Sequence, residues 1–251
     1  MRPIREPART ELLREMSFWE HLGELRSVLA SSIAALLGLS IVFWCFSGPI
    51  MEWMVAGVPV DHLTFLAPSE AFMTRTKMSF VLGGLAAFPY ISYRLWRFVS
   101  PGLFRRERKR IFPVAFASGA LFYSGIVFAY FLVVPVIIQF MLGYATDRIQ
   151  PMIAVGAYFD TISRLCLAFG LVFQLPIVIL LLGLMGIVSP RTFLRQWRYA
   201  VVIIFTAAAI FTPPDPVSQV LMAVPLVVLY VGSSFIALAL TRKRRKPEDD
   251  S

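Results

Sequence analysis

The sequence predicts an all-α membrane protein that forms a single integral membrane domain over residues 1–251. Six transmembrane helices are expected, kinked by prolines into a cupped shape, with short helices five and six and both termini in the cytoplasm. Three observations predict this class: the composition, uncharged stretches of spanning length, and basic residues that gather in alternate loops. The chain is 58% hydrophobic and 16% charged, against about 45–50% and about 25% in soluble domains. This composition disfavours a water-soluble enzyme and excludes a disordered chain.

The N-terminal part of the chain predicts an interfacial segment followed by two spans. Residues 1–26 are polar, with apolar residues at helical spacing, which is typical of an amphipathic segment at the membrane interface. Residues 27–46 then form an uncharged stretch of 20 residues, which matches a hydrocarbon core of about 30 Å. Gly48 and Pro49 are expected to end this span and to begin an external loop over residues 48–69. A second helix is predicted over residues 69–96.

Four more spans are predicted in the rest of the chain, each separated by a polar or proline-containing segment. The third and fourth contain prolines that are expected to kink them. The fifth is short, with 14 residues, or roughly 21 Å of helix. The tail after residue 240 is charged and is expected to fray. The predicted spans are residues 111–142, 158–188, 199–212 and 217–240, and a basic loop is predicted over 94–110.

The basic residues fix the predicted orientation. The chain has 24 Lys and Arg against 15 Asp and Glu, a net charge of +9. Of those 24, 20 lie in the N-terminal segment, the 94–110 loop, residues 191–198 and the tail. Six spans place these four segments on one side, and the positive-inside rule makes that side cytoplasmic. The basic charge therefore indicates orientation and contact with a lipid bilayer, with no need for nucleic acid.

The sequence offers no evident set of catalytic groups. It has no GxxxxGK[ST] loop for nucleotide phosphates, and both histidines, His21 and His62, lie outside the predicted spans. No paired metal-ligand spacing is present. We therefore expect no catalytic residue, no metal and no cofactor. A small-molecule secondary transporter stays open as an alternative, although the internal repeat typical of that class is not evident.

A few polar residues stand out against the apolar background. Gln174 lies in the middle of the fourth span, where it has either a functional role or an interhelical hydrogen bond. Asp160 and Arg164 are spaced for an ion pair within one helix. Asp215 stands at the start of the sixth helix, where a carboxylate stabilises the helix dipole. Glu107 lies in RRERKR, where it either neutralises its neighbours or accepts a guanidinium from a partner.

Five segments of the chain carry a distinctive pattern of residues. They are FWEHLGELRSVL (18–29), APSEAFMTRTKMSF (67–80), LWRFVSPGLFRRERKR (95–110), FGLVFQLP (169–176) and FTPPDPVSQVLMAVPLVVLY (211–230). In order and spacing they resemble the TatC family, the multi-spanning subunit of the twin-arginine protein translocase. The resemblance covers about residues 17–235.

The resemblance implies a non-enzymatic receptor in the bacterial cytoplasmic (inner) membrane. It implies recognition of twin-arginine signal peptides on folded precursors, and transport driven by the proton-motive force. The implied partners are TatA- and TatB-like single-span proteins and further copies of the chain. Carried over by motif, Glu24 and Glu107 would receive the arginine pair, and Phe98 and Arg26 would shape the pocket.

The same resemblance implies roles for residues on the outer face and in the membrane. Pro49 and Glu70 match positions in the first external loop and at the start of the second helix. The region between the fifth and sixth helices would dock partner helices through Thr212, Asp215 and Gln219. Three residues depart from the family pattern: Arg94 and Gln174 stand where Gln and Glu are common, and Val231 stands where a Glu often follows the tyrosine.

Overall fold

The computed structural model describes residues 18–56, 63–103, 111–146, 152–184, 187–212 and 215–245. Every regular element in these ranges is a helix, and one isolated β-bridge joins Thr64 to Ala154. The predicted all-α class is confirmed. The helices are α1 (Phe18–Ala56), α2 (Glu70–Leu103), α3 (Ile111–Phe128), α4 (Val134–Leu142), α5 (Val155–Val172), α6 (Leu175–Leu184), α7 (Pro190–Arg195), α8 (Trp197–Phe211) and α9 (Pro216–Arg245).

The first helix is longer at both ends than the sequence predicts. Residues 18–26 belong to α1, so this part of the predicted interfacial segment continues directly into the span. Pro49 was expected to end the helix, and that prediction is wrong because α1 passes through Pro49 to Ala56. A helix that ended within apolar surroundings would leave unpaired backbone groups there, which costs more than the one hydrogen bond that a proline removes.

Two further boundaries differ from the prediction in the same direction. Residues 94–103 were assigned to a basic loop but form the last turns of α2. The sixth helix is not short, because α9 has 30 residues and includes the first basic residues of the tail up to Arg245. Arginine and lysine are good helix formers, and cations stabilise the C-terminal end of a helix.

Proline interrupts the third and fourth long helices, as predicted. Between α3 and α4 lies a π-helical segment, Ala129–Val133, and Pro135 occupies the first turn of α4. Between α5 and α6 the helix breaks at Phe173 and Gln174, just before Pro176. In both places the proline lacks the N–H that would continue the ladder, so the break falls before the proline.

Among the described residues, four helical segments are long and apolar enough to cross a membrane: Trp19–Val55, Phe112–Leu142, Val155–Gly183 and Pro216–Ala239. Helix α8 is apolar but shorter, with 15 residues, or about 22 Å. Large apolar side chains on these helices are exposed, among them Ile41 at 71% and Phe116 at 72%. Such exposure suits contact with lipid, and the arrangement is compatible with the six predicted spans.

The core lies around α5, which packs mainly against α3, then against α2 and the π-helical segment, and touches α8 more lightly. Residues of α4 and α9 complete the same buried cluster. Phe169 and Leu165 of α5 are fully buried there, as is Leu226 of α9. Helices α1 and α2 form a long antiparallel pair with the largest interface in the described part of the chain, and α2 also packs against α3 and α5. The polar end of this pair carries the site described next.

Candidate functional site

A small cleft lies between α1 and α2, near the start of α1 and toward the end of α2. Its volume is about 120 Å³, and Glu24, Ser27, Val28, Arg94 and Arg97 line it. The spacing of these residues explains why they meet. Residues three and four apart share one face of a helix, so Ser27 and Val28 fall on the face of Glu24, and Arg97 falls on the face of Arg94.

Arg94 is anchored across the cleft to α1. One terminal nitrogen of its guanidinium donates to the Ser27 carbonyl oxygen at 3.2 Å and to Ser27 Oγ at 3.1 Å. Two further polar atoms of the residues that line the cleft, Glu24 Oε2 and Arg94 Nε, are buried without a hydrogen-bond partner among the described residues. A buried acceptor and a buried donor are costly when unpaired. The cleft therefore has unused hydrogen-bonding capacity of both polarities.

An aromatic stack lies on the same helix faces. The rings of His21 and Phe98 are 4.2 Å apart and nearly parallel, with 10° between their planes. His21 is one turn before Glu24, and Phe98 is one turn after Arg94. The stack therefore fixes α1 against α2 at this end of the helix pair.

The structure brings some of the predicted pocket residues together and separates another. Glu24 lines the cleft and Phe98 packs on the adjoining face. Arg26 is exposed and is not among the residues that line the cleft. Two residues along a helix correspond to a rotation of about 200°, which turns Arg26 away from Glu24. Glu107 lies outside the described residues.

Sequence reasoning missed Ser27, Arg94 and Arg97 as parts of this cleft. Arg94 was noted only as a departure from a family pattern. A usable signal was present, because Arg94, Arg97 and Phe98 have the same spacing as Glu24, Ser27 and Val28. Two such faces on neighbouring antiparallel helices are expected to meet.

Gln174 joins the break between α5 and α6 to α3. Its Nε2 donates to the Ser118 carbonyl oxygen at 3.0 Å, and its Oε1 accepts from the Ser118 hydroxyl. Of the two roles left open by the sequence, the interhelical hydrogen bond is therefore present. Both groups lie in a helical region with apolar neighbours, where unpaired polar atoms are costly.

Replacing Gln174 with leucine is expected to lower the stability of the chain by about 1–3 kcal/mol, because the Ser118 hydroxyl loses its partner. Thermal unfolding of the detergent-solubilised protein measures this. Gln139→Leu is the matched control, since Gln139 is exposed on α4. An equal loss in both variants would show that the Ser118 contact contributes nothing.

Glu70 ties the segment before α2 to the start of α5. Its Oε1 accepts the Gly156 N–H at 2.8 Å and its Oε2 accepts the Leu66 N–H at 2.7 Å. These backbone hydrogen bonds, that of Gly156 first, lower the pKa of the Glu70 carboxyl below its ordinary value of 4.5. The N-cap residue of α5, Ala154, has no side-chain cap of its own. Glu70 therefore caps α5 from another part of the chain.

A salt bridge farther along α2 also joins this helix to α5. Lys77 Nζ lies 2.8 Å from Asp160 Oδ2. The sequence predicted that Asp160 pairs with Arg164 in its own helix, and this is wrong. The partner comes from α2 because α2 packs directly against α5.

The turn between α8 and α9 is held by hydrogen bonds of the three residues expected to dock partner helices. Asp215 Oδ1 accepts the Ser218 N–H at 2.6 Å and so caps α9, as its position predicts. Gln219 Nε2 donates to the Phe205 carbonyl oxygen of α8 at 3.0 Å. Thr212 Oγ1 donates to the Ala208 carbonyl oxygen at 2.8 Å. These side chains therefore cap the end of α8 and the start of α9 and join the two helices.

The fold defines a helical membrane protein with a charged cleft at one end of its first two helices. Residues 20–225 match the family model described as Sec-independent protein translocase protein (TatC). The chain belongs to the TatC family. It is a component of a protein translocase, and the family is non-enzymatic, which confirms the function predicted from the sequence over the small-molecule transporter.

Relatives and solved structures agree with this assignment. A TatC protein of Desulforapulum autotrophicum is 38% identical over 239 residues, which is 93% of this chain and 88% of that protein. A chloroplastic TATC of Pisum sativum is 38% identical over 226 residues, 89% of this chain and 64% of that protein. A crystal structure described as the twin arginine translocase receptor TatC covers 89% of this chain, with a TM-score of 0.80 and 34% identity.

Proposed function

We propose that this chain is the signal-peptide receptor of a twin-arginine translocase, and that the cleft between α1 and α2 receives the arginine pair. The observation that carries this proposal is the Glu24 carboxylate, which lines the cleft with Oε2 buried and unpartnered among the described residues. A carboxylate oxygen in this state is an acceptor for a charged donor. A guanidinium is suited to that role because it presents several N–H groups in a fixed plane.

Glu107 is proposed as the second acceptor. It follows the end of α2 in sequence, and two carboxylates match two guanidinium groups. Phe98 is proposed to support the pocket through its stack with His21. Arg26, which is exposed on α1, is proposed to contact the peptide outside the cleft.

The orientation proposed for the chain follows from its charges. Both termini and the cleft would face the cytoplasm in a bacterial inner membrane, because 20 of 24 basic residues fall in the segments on that side. Precursors would then meet the receptor before transport. The energy for transport is proposed to come from the proton-motive force.

The outer turn between α8 and α9 is the proposed docking region for TatA- and TatB-like single-span proteins. Helix α8 exposes a row of large apolar side chains, including Tyr199, Val202, Ile203 and Ile210. A short apolar helix with such a row suits contact with another membrane helix or with a second copy of the chain. Asp215 and Gln219 hold the turn at the end of this row, and Glu70 and Pro49 lie on the same proposed outer side.

The proposed recognition is tested with purified full-length protein and a fluorescent twin-arginine signal peptide. Glu24→Gln and Glu107→Gln are each expected to weaken binding by roughly tenfold or more, because each removes a charge-assisted acceptor. A twin-lysine peptide should bind the native protein less tightly than the twin-arginine peptide. Peptide affinity is read by fluorescence anisotropy.

Glu52→Gln is the matched control, since Glu52 is an exposed glutamate near the opposite end of α1. It changes the net charge by the same amount and should leave the affinity unchanged. Equal affinities for the native protein and Glu24→Gln, or equal capture of the two peptides by the native protein, would contradict the proposed function.

A further inference from the structure

Two residues that line the cleft each have a buried polar atom without a hydrogen-bond partner, one an acceptor and the other a donor. Glu24 Oε2 is an acceptor and Arg94 Nε carries a donor N–H, and neither has a hydrogen-bond partner among the described residues. Both side chains line the same cleft of about 120 Å³, a space of about four water molecules. An occupant that satisfies both must therefore supply a donor and an acceptor close together.

The position of Arg94 is fixed independently of any occupant. Its terminal nitrogen is held on the Ser27 carbonyl and hydroxyl oxygens. Because the guanidinium is planar and rigid, anchoring one nitrogen also sets the direction of the Nε–H. The unused donor is thus already ordered, so a ligand that accepts from it spares the entropy of ordering a long side chain.

We infer that Arg94 is a further signal-peptide contact, whose Nε–H donates to a main-chain carbonyl oxygen of the peptide while Glu24 accepts from an arginine side chain. This inference rests on the proposed function. A peptide that brings a guanidinium also brings backbone carbonyls within a few bonds, so one short segment supplies both missing partners. A neutral carbonyl is a suitable acceptor for Arg94, because the Glu24 carboxylate already offsets one positive charge in the cleft.

The two residues then have separable effects on recognition. Glu24 contacts the side chain and distinguishes arginine from lysine. Arg94 contacts the main chain, which is the same in both peptides, so it raises the affinity for both by the same factor. Removing the Nε donor should lower affinity without changing the preference for arginine.

The test combines Arg94→Lys with changes in the peptide backbone. Lysine keeps the positive charge but has no Nε–H group in a planar fork. We expect Arg94→Lys to weaken the twin-arginine and twin-lysine peptides alike, by roughly threefold to thirtyfold. The peptide is also made as a series in which the amide after each residue around the arginine pair is replaced by an ester, whose carbonyl is a weaker acceptor.

An ester at one position should weaken peptide binding to the native protein by roughly threefold to tenfold. The same ester should not weaken peptide binding to Arg94→Lys any further. A merely structural role for Arg94 would not produce this coupling. Arg191→Lys, on the exposed face of α7, is the control for the substitution itself. Thermal unfolding of both variants shows that they are folded.

Three results would overturn the inference: no ester position coupled to Arg94, a changed arginine-to-lysine preference in Arg94→Lys, or tighter binding by that variant. The last would indicate that Arg94 repels the peptide. The proposed function fails separately, when the native protein does not prefer arginine and Glu24→Gln has no effect. In that case the coupling between the ester position and Arg94 still decides the role of Arg94. If the native protein binds neither peptide, both the proposed function and the inference about Arg94 are contradicted.

Discussion

Gly83→Ala is expected to lower the stability of the chain by about 1–3 kcal/mol, and Gly84→Ala, one residue away, is expected to be tolerated. A Cβ at Gly83 would lie 2.6 Å from the Ser40 backbone nitrogen and 2.7 Å from Ser40 Cα. These are backbone atoms of α1, which cannot rotate away as a side chain can. The two helices would have to separate, and α1 and α2 share the largest interface in the described part of the chain.

The neighbouring glycine provides the control. A Cβ at Gly84 would meet only Leu36 Cδ1, at 3.9 Å, which is ordinary van der Waals contact. Alanine has a higher helix propensity than glycine by about 1 kcal/mol, so Gly84→Ala should be neutral or slightly stabilising. Thermal unfolding in one detergent compares the two variants. Equal unfolding temperatures would show that α1 and α2 do not cross as closely as the structure has them.

The cleft between α1 and α2 depends on the same crossing. Glu24 and Arg94 lie on these two helices, and the Arg94–Ser27 hydrogen bonds span them. Gly83→Ala is therefore expected to weaken signal-peptide binding as well as stability. Gly84→Ala should change neither.

Hydrophobicity was enough to predict the helices, because each span must bury or shield its own backbone polar groups in lipid. Their ends were harder to predict. Pro49 and the two arginines of residues 94–97 are typical of loops, yet α1 continues through Pro49 and α2 continues through residues 94–97. In each case the neighbouring helix of the α1–α2 pair continues alongside, and such packing outweighs local propensity.

In the site too, local sequence patterns predicted individual residues but not the contacts between parts of the chain that are far apart in sequence. Glu24 and Phe98 came from motifs, and Arg94 was within reach of helical spacing. The sequence does not show which glycine of the Gly83–Gly84 pair contacts α1, since that depends on the rotation of one helix against another. It also does not show that Glu70 binds Gly156, 86 residues away, or that Asp160 pairs with Lys77.

Glu70→Gln is expected to destabilise the end of the structure where α2 and α5 begin, and the loss should depend on pH. The native carboxylate accepts two backbone N–H groups, from Gly156 and Leu66. A glutamine amide keeps one oxygen and replaces the other with an NH₂ group, which faces an N–H donor that it cannot bind. Either the cap of α5 at Gly156 or the hydrogen bond to Leu66 would be lost, and the bridge between Thr64 and Ala154 beside them would weaken.

The sign of the pH effect follows from the pKa of Glu70, which is lowered in the folded chain from its ordinary value of 4.5. Above 4.5 the carboxylate is charged in both the folded and unfolded states, so its stabilising contribution is fully present. As the pH falls below 4.5, the unfolded state takes up the proton first, and the contribution is lost through the lower folded pKa. The native protein should therefore lose stability on acidification more steeply than Glu70→Gln.

The test measures the unfolding temperatures of the native protein and of Glu70→Gln from neutral pH to below pH 4.5. The two temperatures should differ most near neutral pH and converge in acid. Glu52→Gln removes a carboxylate from an exposed position and should run parallel to the native protein throughout. A gap between native and Glu70→Gln that stays constant from neutral to acidic pH would contradict the role given to the charged carboxylate. Because Glu70 joins the segment before α2 to the start of α5, convergence in acid would also mean that the protonated carboxyl holds these two segments together no better than the glutamine amide does.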